Sequence, residues 1–265
     1  MNAVALTCLS LVLSGAPTVV ELVDQLKDCQ SLETCPAVKQ LVAGGPAIWP
    51  GIKRGLDAPD EMTRFWTLGV LSEVIVPAAR QSIATLLGDR EIRVRAAAAY
   101  ALGAQRDRAV TPWLVKALED DDLNVRFAAA VALGRVRDPA SIPALVKVLR
   151  DKDEDVRAYA ALALGDIGDR AATPRLVERV REDIHPKVRG FAAMALGKLK
   201  DPKSLGALMA QAREERDAKA LASALYALGA LGDPKAIAVI RPHLAHADSD
   251  VREYAKDALK RLKKE

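Results

Sequence analysis

The string VRAAAAYALG beginning at Val94 returns as VRFAAAVALG at Val125, VRAYAALALG at Val156 and VRGFAAMALG at Val188. Looser copies begin at Thr63, Ala220 and Val251, and the successive starts are 31, 31, 31, 32, 32 and 31 residues apart. A period this regular restricts the chain to a repeat architecture, because one such unit cannot bury a core alone and must stack on its neighbours. Hydrophobic residues make up 50% of the chain but aromatic ones only 4%, a balance that favours closely packed helices over strands. The expected class is all-α.

A second register runs through the first. Asp107, Asp138, Asp169, Asp201 and Asp233 recur at 31, 31, 32 and 32 residues, with proline next at Pro139, Pro202 and Pro234. Asp followed by Pro marks a helix start: the carboxylate accepts from free N–H groups, and proline occupies a first-turn position whose N–H has no partner in any case. Each unit therefore holds a helix A and a helix B. In the unit from Asp138, helix A carries Ile142, Leu145, Val146 and Leu149 at helical spacing. Helix B is expected to start from an acidic cap three residues before the repeated valine, at Asp60, Glu91, Asp122, Asp153, Asp217 and Asp248, with His185 in that role once. Its expected end is the glycine at Gly103, Gly134, Gly165, Gly197 or Gly229, in a left-handed closing residue.

On these residues the units resemble HEAT repeats of the PBS-lyase HEAT-like type, whose helix B reads V-R-x-x-A-A-x-A-L-G, over roughly Ala47 to Glu265. The resemblance implies an α-solenoid, an armadillo-like superhelix of helical hairpins. Seven units at ordinary helix spacing would extend on the order of 60–70 Å, with a right-handed twist, helix B inside and helix A outside. It does not imply an activity, since such repeats occur both in bilin-attachment lyase subunits and in scaffolds that catalyse nothing.

With the repeated valine as position 0 and a turn of about 100° per residue, positions 0, 4, 7 and 8 share one face and hold the core. Position 1 is arginine at Arg64, Arg95, Arg126, Arg157, Arg189 and Arg252, with Leu221 the gap. These guanidinium groups form either a structural ladder bonded to loop carboxylates and carbonyls, the preferred reading, or an anion-binding stripe. Position 6 faces away from the core, yet reads Gly69, Tyr100, Val131, Leu162, Met194, Tyr226 and Asp257. Phe65 and Phe127 at position 2 lie on the same flank, together with Trp66, Tyr159 and Phe191 at position 3, which are expected to pack on the adjacent helix B. An apolar stripe on the concave helix-B side, made of Tyr100, Val131, Leu162, Met194, Tyr226, Phe65 and Phe127, is the expected docking surface for an apolar segment of a protein partner.

The expected function is therefore a non-enzymatic protein-interaction scaffold without a cofactor. The alternative is an anion or nucleic-acid binder using the arginine ladder and the basic tail from Lys256 to Lys263, and after it a bilin-lyase-type subunit. A net charge of +4 does not by itself call for nucleic acid. Three histidines, His185, His243 and His246, restrict acid–base and metal chemistry, and no glycine-rich phosphate loop, nucleophile elbow or Cys-x-x-Cys motif occurs.

Residues 1–17 are a candidate signal segment, apolar from Ala3 to Leu13 and too short to span a bilayer. No integral membrane span is expected in the mature chain. Loss of the segment would remove Cys8 and leave Cys29 and Cys35 as a pair able to form a disulfide in an oxidising compartment. Export to the periplasm or outside the cell is the expectation, and two free thiols in a cytoplasmic protein the alternative. Residues 18–45 are expected to form an N-terminal capping hairpin, followed by the array over 46–265.

Overall fold

The computed structural model describes residues 17–263. The apolar stretch from Ala3 to Leu13, and Cys8 with it, lies outside them. The described chain contains sixteen α-helices joined by turns and short 3-10 segments, with no strand among the described residues. By its internal packing it divides into two compact units, one ending at Ala132 and the other beginning at Leu133.

The first unit opens with α1 (Val19–Gln25) and α2 (Pro36–Ala43). Thr18 and Glu21 form a reciprocal capping box at the start of α1, satisfying two backbone donors. Helix α3 (Trp49–Leu56) carries Gly51 and Gly55 four residues apart, where Val19 and Val23 of α1 lie against its backbone. Four helices complete this unit: α4 (Glu61–Glu73), α5 (Arg80–Thr85), α6 (Ile92–Ala104) and α7 (Thr111–Ala117). Helix α8 (Leu123–Val136) runs through the division. The second unit continues with α9 (Ile142–Val148), α10 (Glu154–Ile167), α11 (Thr173–Glu182), α12 (Pro186–Leu199), α13 (Leu205–Glu214), α14 (Ala218–Leu231), α15 (Ile237–Ile240) and α16 (Ser249–Leu262).

Helices α4, α6, α8, α10, α12, α14 and α16 are the repeated helix B. Their positions 0, 4, 7 and 8 are buried throughout, as with Val156, Ala160, Ala163 and Leu164 in α10. The alanines admit close backbone approach, which is why one helix B stacks directly on the next.

The Asp-Pro register starts helix A through a 3-10 turn. The side chains of Asp107, Asp138, Asp169, Asp201 and Asp233 accept from the N–H two residues on, and the α-helix begins after that turn. Asp60, Asp153, Asp217 and Asp248 cap helix B as expected. Glu91 and His185 do not, since neither side chain accepts a capping bond. At His185 only the bond common to these loops remains, in which the N-cap N–H donates to the carboxylate two residues earlier, here Asp183 Oδ1 at 3.1 Å.

The repeated glycine does not end helix B. Gly103, Gly165, Gly197 and Gly229 lie inside helices that run on past them. A Cβ on Gly165 would stand 2.7 Å from Ala195 Cα, and one on Gly229 2.7 Å from Ala258 Cα. The glycine therefore opens a slot for the backbone of the next helix B. The left-handed residue comes three positions later, at Arg106, Arg137, Gly168, Lys200 and Gly232, with φ between 47° and 84°.

Candidate functional site

The arginines at position 1 join consecutive loops. In the second unit, Arg157 Nε and Nη2 donate to Asp183 Oδ2 and Oδ1 at 2.9 and 3.0 Å, while Nη1 donates to the carbonyls of Asp151 and Lys152 at 2.9 and 3.3 Å. Arg189 repeats the pattern with Glu215, at 2.7 Å to each oxygen, and with the carbonyls of Asp183 and Ile184. In the first unit Arg64 pairs with Asp89 and Arg95 with Asp120 in the same forked geometry. Arg126 Nη1 donates to the carbonyls of Asp120 and Asp121, and Arg252 Nη1 to those of His246 and Ala247.

Burial alone would raise the carboxyl of Asp183. The Arg157 guanidinium, the His185 N–H and the charge of Arg179 outweigh burial and hold it below the usual carboxylate range. The same balance lowers Asp89, Asp120 and Glu215, and the matching hydrogen bonds push Arg64, Arg95, Arg157 and Arg189 upward. These guanidinium groups are engaged inside the fold, the arrangement of a structural ladder.

The outward side of the second unit's B helices combines charge and apolar surface. Lys187 pairs with Asp155 at 2.5 Å and Lys198 with Asp166 at 2.6 Å, each bond crossing from α12 to α10. Along the helix axis positions 3 and 6 lie between these two pairs, and all four positions fall on one side of the helix wheel. There Tyr159 and Phe191 meet edge to face with centroids 5.3 Å apart, so position 3 packs on the adjacent helix B. Leu162, Met194 and Tyr226 at position 6 are half-buried. Tyr226 lies beside Gly197, and the Arg261 guanidinium stands 5.3 Å from its ring centroid. Each apolar side chain thus has one flank against protein and another open.

In the first unit Tyr100, Val131, Phe65 and Phe127 are also half-buried on this face. Phe65 touches the ring of Trp66 edge-on at 4.8 Å, but Trp66 itself is buried and its indole N–H donates to the Cys29 carbonyl at 3.0 Å. Gly69 is covered by Leu32. Cys29 and Cys35 are joined by a disulfide.

Sequence reasoning missed Gln105. This buried side chain accepts from Val76 N–H at 2.7 Å and donates to the carbonyls of Leu71 and Val74 at 2.8 and 3.3 Å, which ties down the turn after α4. The available signal is that the register places Val136, Ile167, Leu199 and Leu231 at the same point in other units. His243 Nε2 lies 2.8 Å from the Ala212 carbonyl and His246 Nδ1 accepts from the Asp248 N–H, so each ring engages the backbone. Among the described residues no helix is long and apolar enough to cross a membrane.

Comparison with solved structures finds the E. coli protein YibA, a structural-genomics target, at TM-score 0.65 and 24% identity, covering 92% of each chain. The complex of CpcE and CpcF of phycocyanin lyase from Nostoc sp. PCC7120 matches at TM-score 0.55 and 25% identity, over 81% of this chain and 93% of that one. An engineered protein matches at TM-score 0.55 and 23% identity, over 92% of this chain and 78% of its own. No curated protein sequence matches. The family model for HEAT repeats matches in overlapping windows, 49–130, 81–158, 111–186, 142–229 and 173–260. With its paired helices and repeat-to-repeat stacking, the chain belongs to the HEAT-repeat family and is an all-α helical-repeat solenoid.

Proposed function

We propose that the chain is a non-catalytic scaffold that docks an apolar segment of another protein on the outward face of its B helices. The observation that carries this reading is the set of half-buried apolar side chains at positions 3 and 6, Tyr159, Leu162, Phe191, Met194 and Tyr226, between the Asp155–Lys187 and Asp166–Lys198 pairs. An apolar strip with a charged border provides burial energy along its length and orientation at its edges. The likeness to a complex of two proteins, CpcE with CpcF, supports a protein partner. The arginine ladder does not favour phosphate as the ligand, because its guanidinium groups already hold loop carboxylates and carbonyls.

Salt tests the assignment. A partner identified by affinity capture from the native source, then purified, is titrated against the chain at 50 and 500 mM NaCl. Docking through apolar surface changes Kd by less than about threefold across that range, whereas binding through several phosphates weakens it by orders of magnitude. A steep loss would overturn the apolar reading.

A further inference from the structure

The loop from Cys29 to Cys35 connects α1 to α2 and is closed on itself by the disulfide. It forms a tight turn: the Cys35 N–H donates to the Ser31 carbonyl at 3.2 Å, and the Thr34 N–H to Ser31 Oγ at 3.1 Å. Leu32 lies in this turn and rests on Gly69 of α4. A Cβ built on Gly69 would stand 2.7 Å from Leu32 Cδ2, and its three nearest neighbours are all atoms of Leu32. A second tether holds the loop's other end, where the buried Trp66 indole N–H donates to the Cys29 carbonyl at 3.0 Å.

Residue 69 is position 6 of the first repeat, and the next five repeats carry Tyr100, Val131, Leu162, Met194 and Tyr226 there. Glycine stands where the chain lays its own leucine on the helix. The disulfide that closes the loop is within reach of a reagent. Although Cys29 and Cys35 are themselves buried, an open hollow of about 390 Å³ beside them is lined by Gln25, Asp28, Gln30, Thr34 and both cysteines.

We propose that this loop is a redox latch over the first rung of the outward B-helix face. Closed by the disulfide, it keeps Leu32 on Gly69 and covers that rung. Opened by a dithiol, it releases Leu32 and leaves Gly69 uncovered. The thiolate of the dithiol attacks one cysteine sulfur, the S–S bond breaks, and the other cysteine departs as a thiolate that takes a proton from water. The reagent's second thiol resolves the mixed disulfide by the same exchange. Two electrons pass to the protein, which ends with two thiols, and the reagent ends as a disulfide. Once the ring is open, the loop regains conformational entropy that the leucine contact, the Trp66 tether and the two turn hydrogen bonds to Ser31 do not offset. The latch's purpose rests on the reading of this face as a docking surface, but its mechanism does not.

Hydrogen exchange read by mass spectrometry on the full chain, without any partner, tests the latch apart from the docking reading. On adding dithiothreitol, amides in residues 30–35 lose protection at least tenfold, while those of α1, α3, α10 and α12 stay within twofold. In the oxidised chain, Gly69→Leu denies Leu32 its seat and produces the same local loss, together with faster reduction by dithiothreitol. Unchanged exchange on reduction, or loss of protection spreading through α1 and α3, overturns the proposal. So does a Gly69→Leu chain whose loop protection and reduction rate match the parent.

Discussion

At the scale of single residues, the ladder arginines decide how the inter-helix loops are held. Arg157 and Asp183 have side chains only 10% and 3% exposed, so removing one partner strands the other in a poorly solvated site. Arg157→Ala is expected to destabilise the chain by about 3–5 kcal/mol, with Arg157→Lys in between because an ammonium group cannot reproduce the fork. The linked pH effect has a definite sign. Asp89, Asp120, Asp183 and Glu215 have folded pKa values below their unfolded ones, so their contribution is fully present above the unfolded value of about 4. It is lost as pH falls through the lower folded values. Urea midpoints measured from pH 6 down to pH 2.5 should therefore fall in the parent and fall less steeply in Arg157→Ala, where the depression of Asp183 is relieved. Parallel acid limbs in the two proteins would show that the pair contributes nothing.

At the scale of the helix, spacing between neighbours is set by the repeated glycine. Gly165→Ala places a methyl 2.7 Å from the Ala195 backbone, whereas Gly134→Ala places it 3.1 Å from that of Ala163. Both changes gain about 1 kcal/mol of helix propensity, but only the first forces α10 and α12 apart, at about 1–3 kcal/mol for overpacking. Thermal unfolding should show Gly165→Ala clearly destabilised and Gly134→Ala near the parent; equal effects would mean that close approach does not set the spacing. This glycine also marks where the sequence was misread. Period, buried face and most caps were legible because they depend on residues within one unit. The role of Gly165 depends on Ala195 in the next unit, and a glycine near a helix end looks the same whether it closes the helix or admits a neighbour. His185 was assigned to a cap that its side chain does not form, because register shows that the position recurs but not whether an imidazole there accepts from the free N–H groups of the helix. On the candidate face, the apolar identity of Leu162, Met194 and Tyr226 was readable. Their half-burial against adjacent helices, and the replacement of position 6 by Leu32 at Gly69, were not, because both are set by side chains from other helices.

At the scale of the whole molecule, a linear repeat protein draws its stability from contacts between neighbouring units, so a change on an outward face leaves most of the fold untouched. That property separates a docking surface from a core. The assigned face is half-buried, and its outer flank is the part left open for a partner. The account stands most directly on Leu162→Glu, which puts a charge between the Asp155–Lys187 and Asp166–Lys198 pairs without touching the ladder or the alanine core. Thermal melting followed by circular dichroism, with the Kd for the captured partner measured on the same sample, tests it. The account predicts the parent's helical signal, a melting temperature within about 3 °C and affinity weakened at least tenfold. A cooperative loss of helix at ambient temperature, or parental affinity in a fully folded variant, would contradict it.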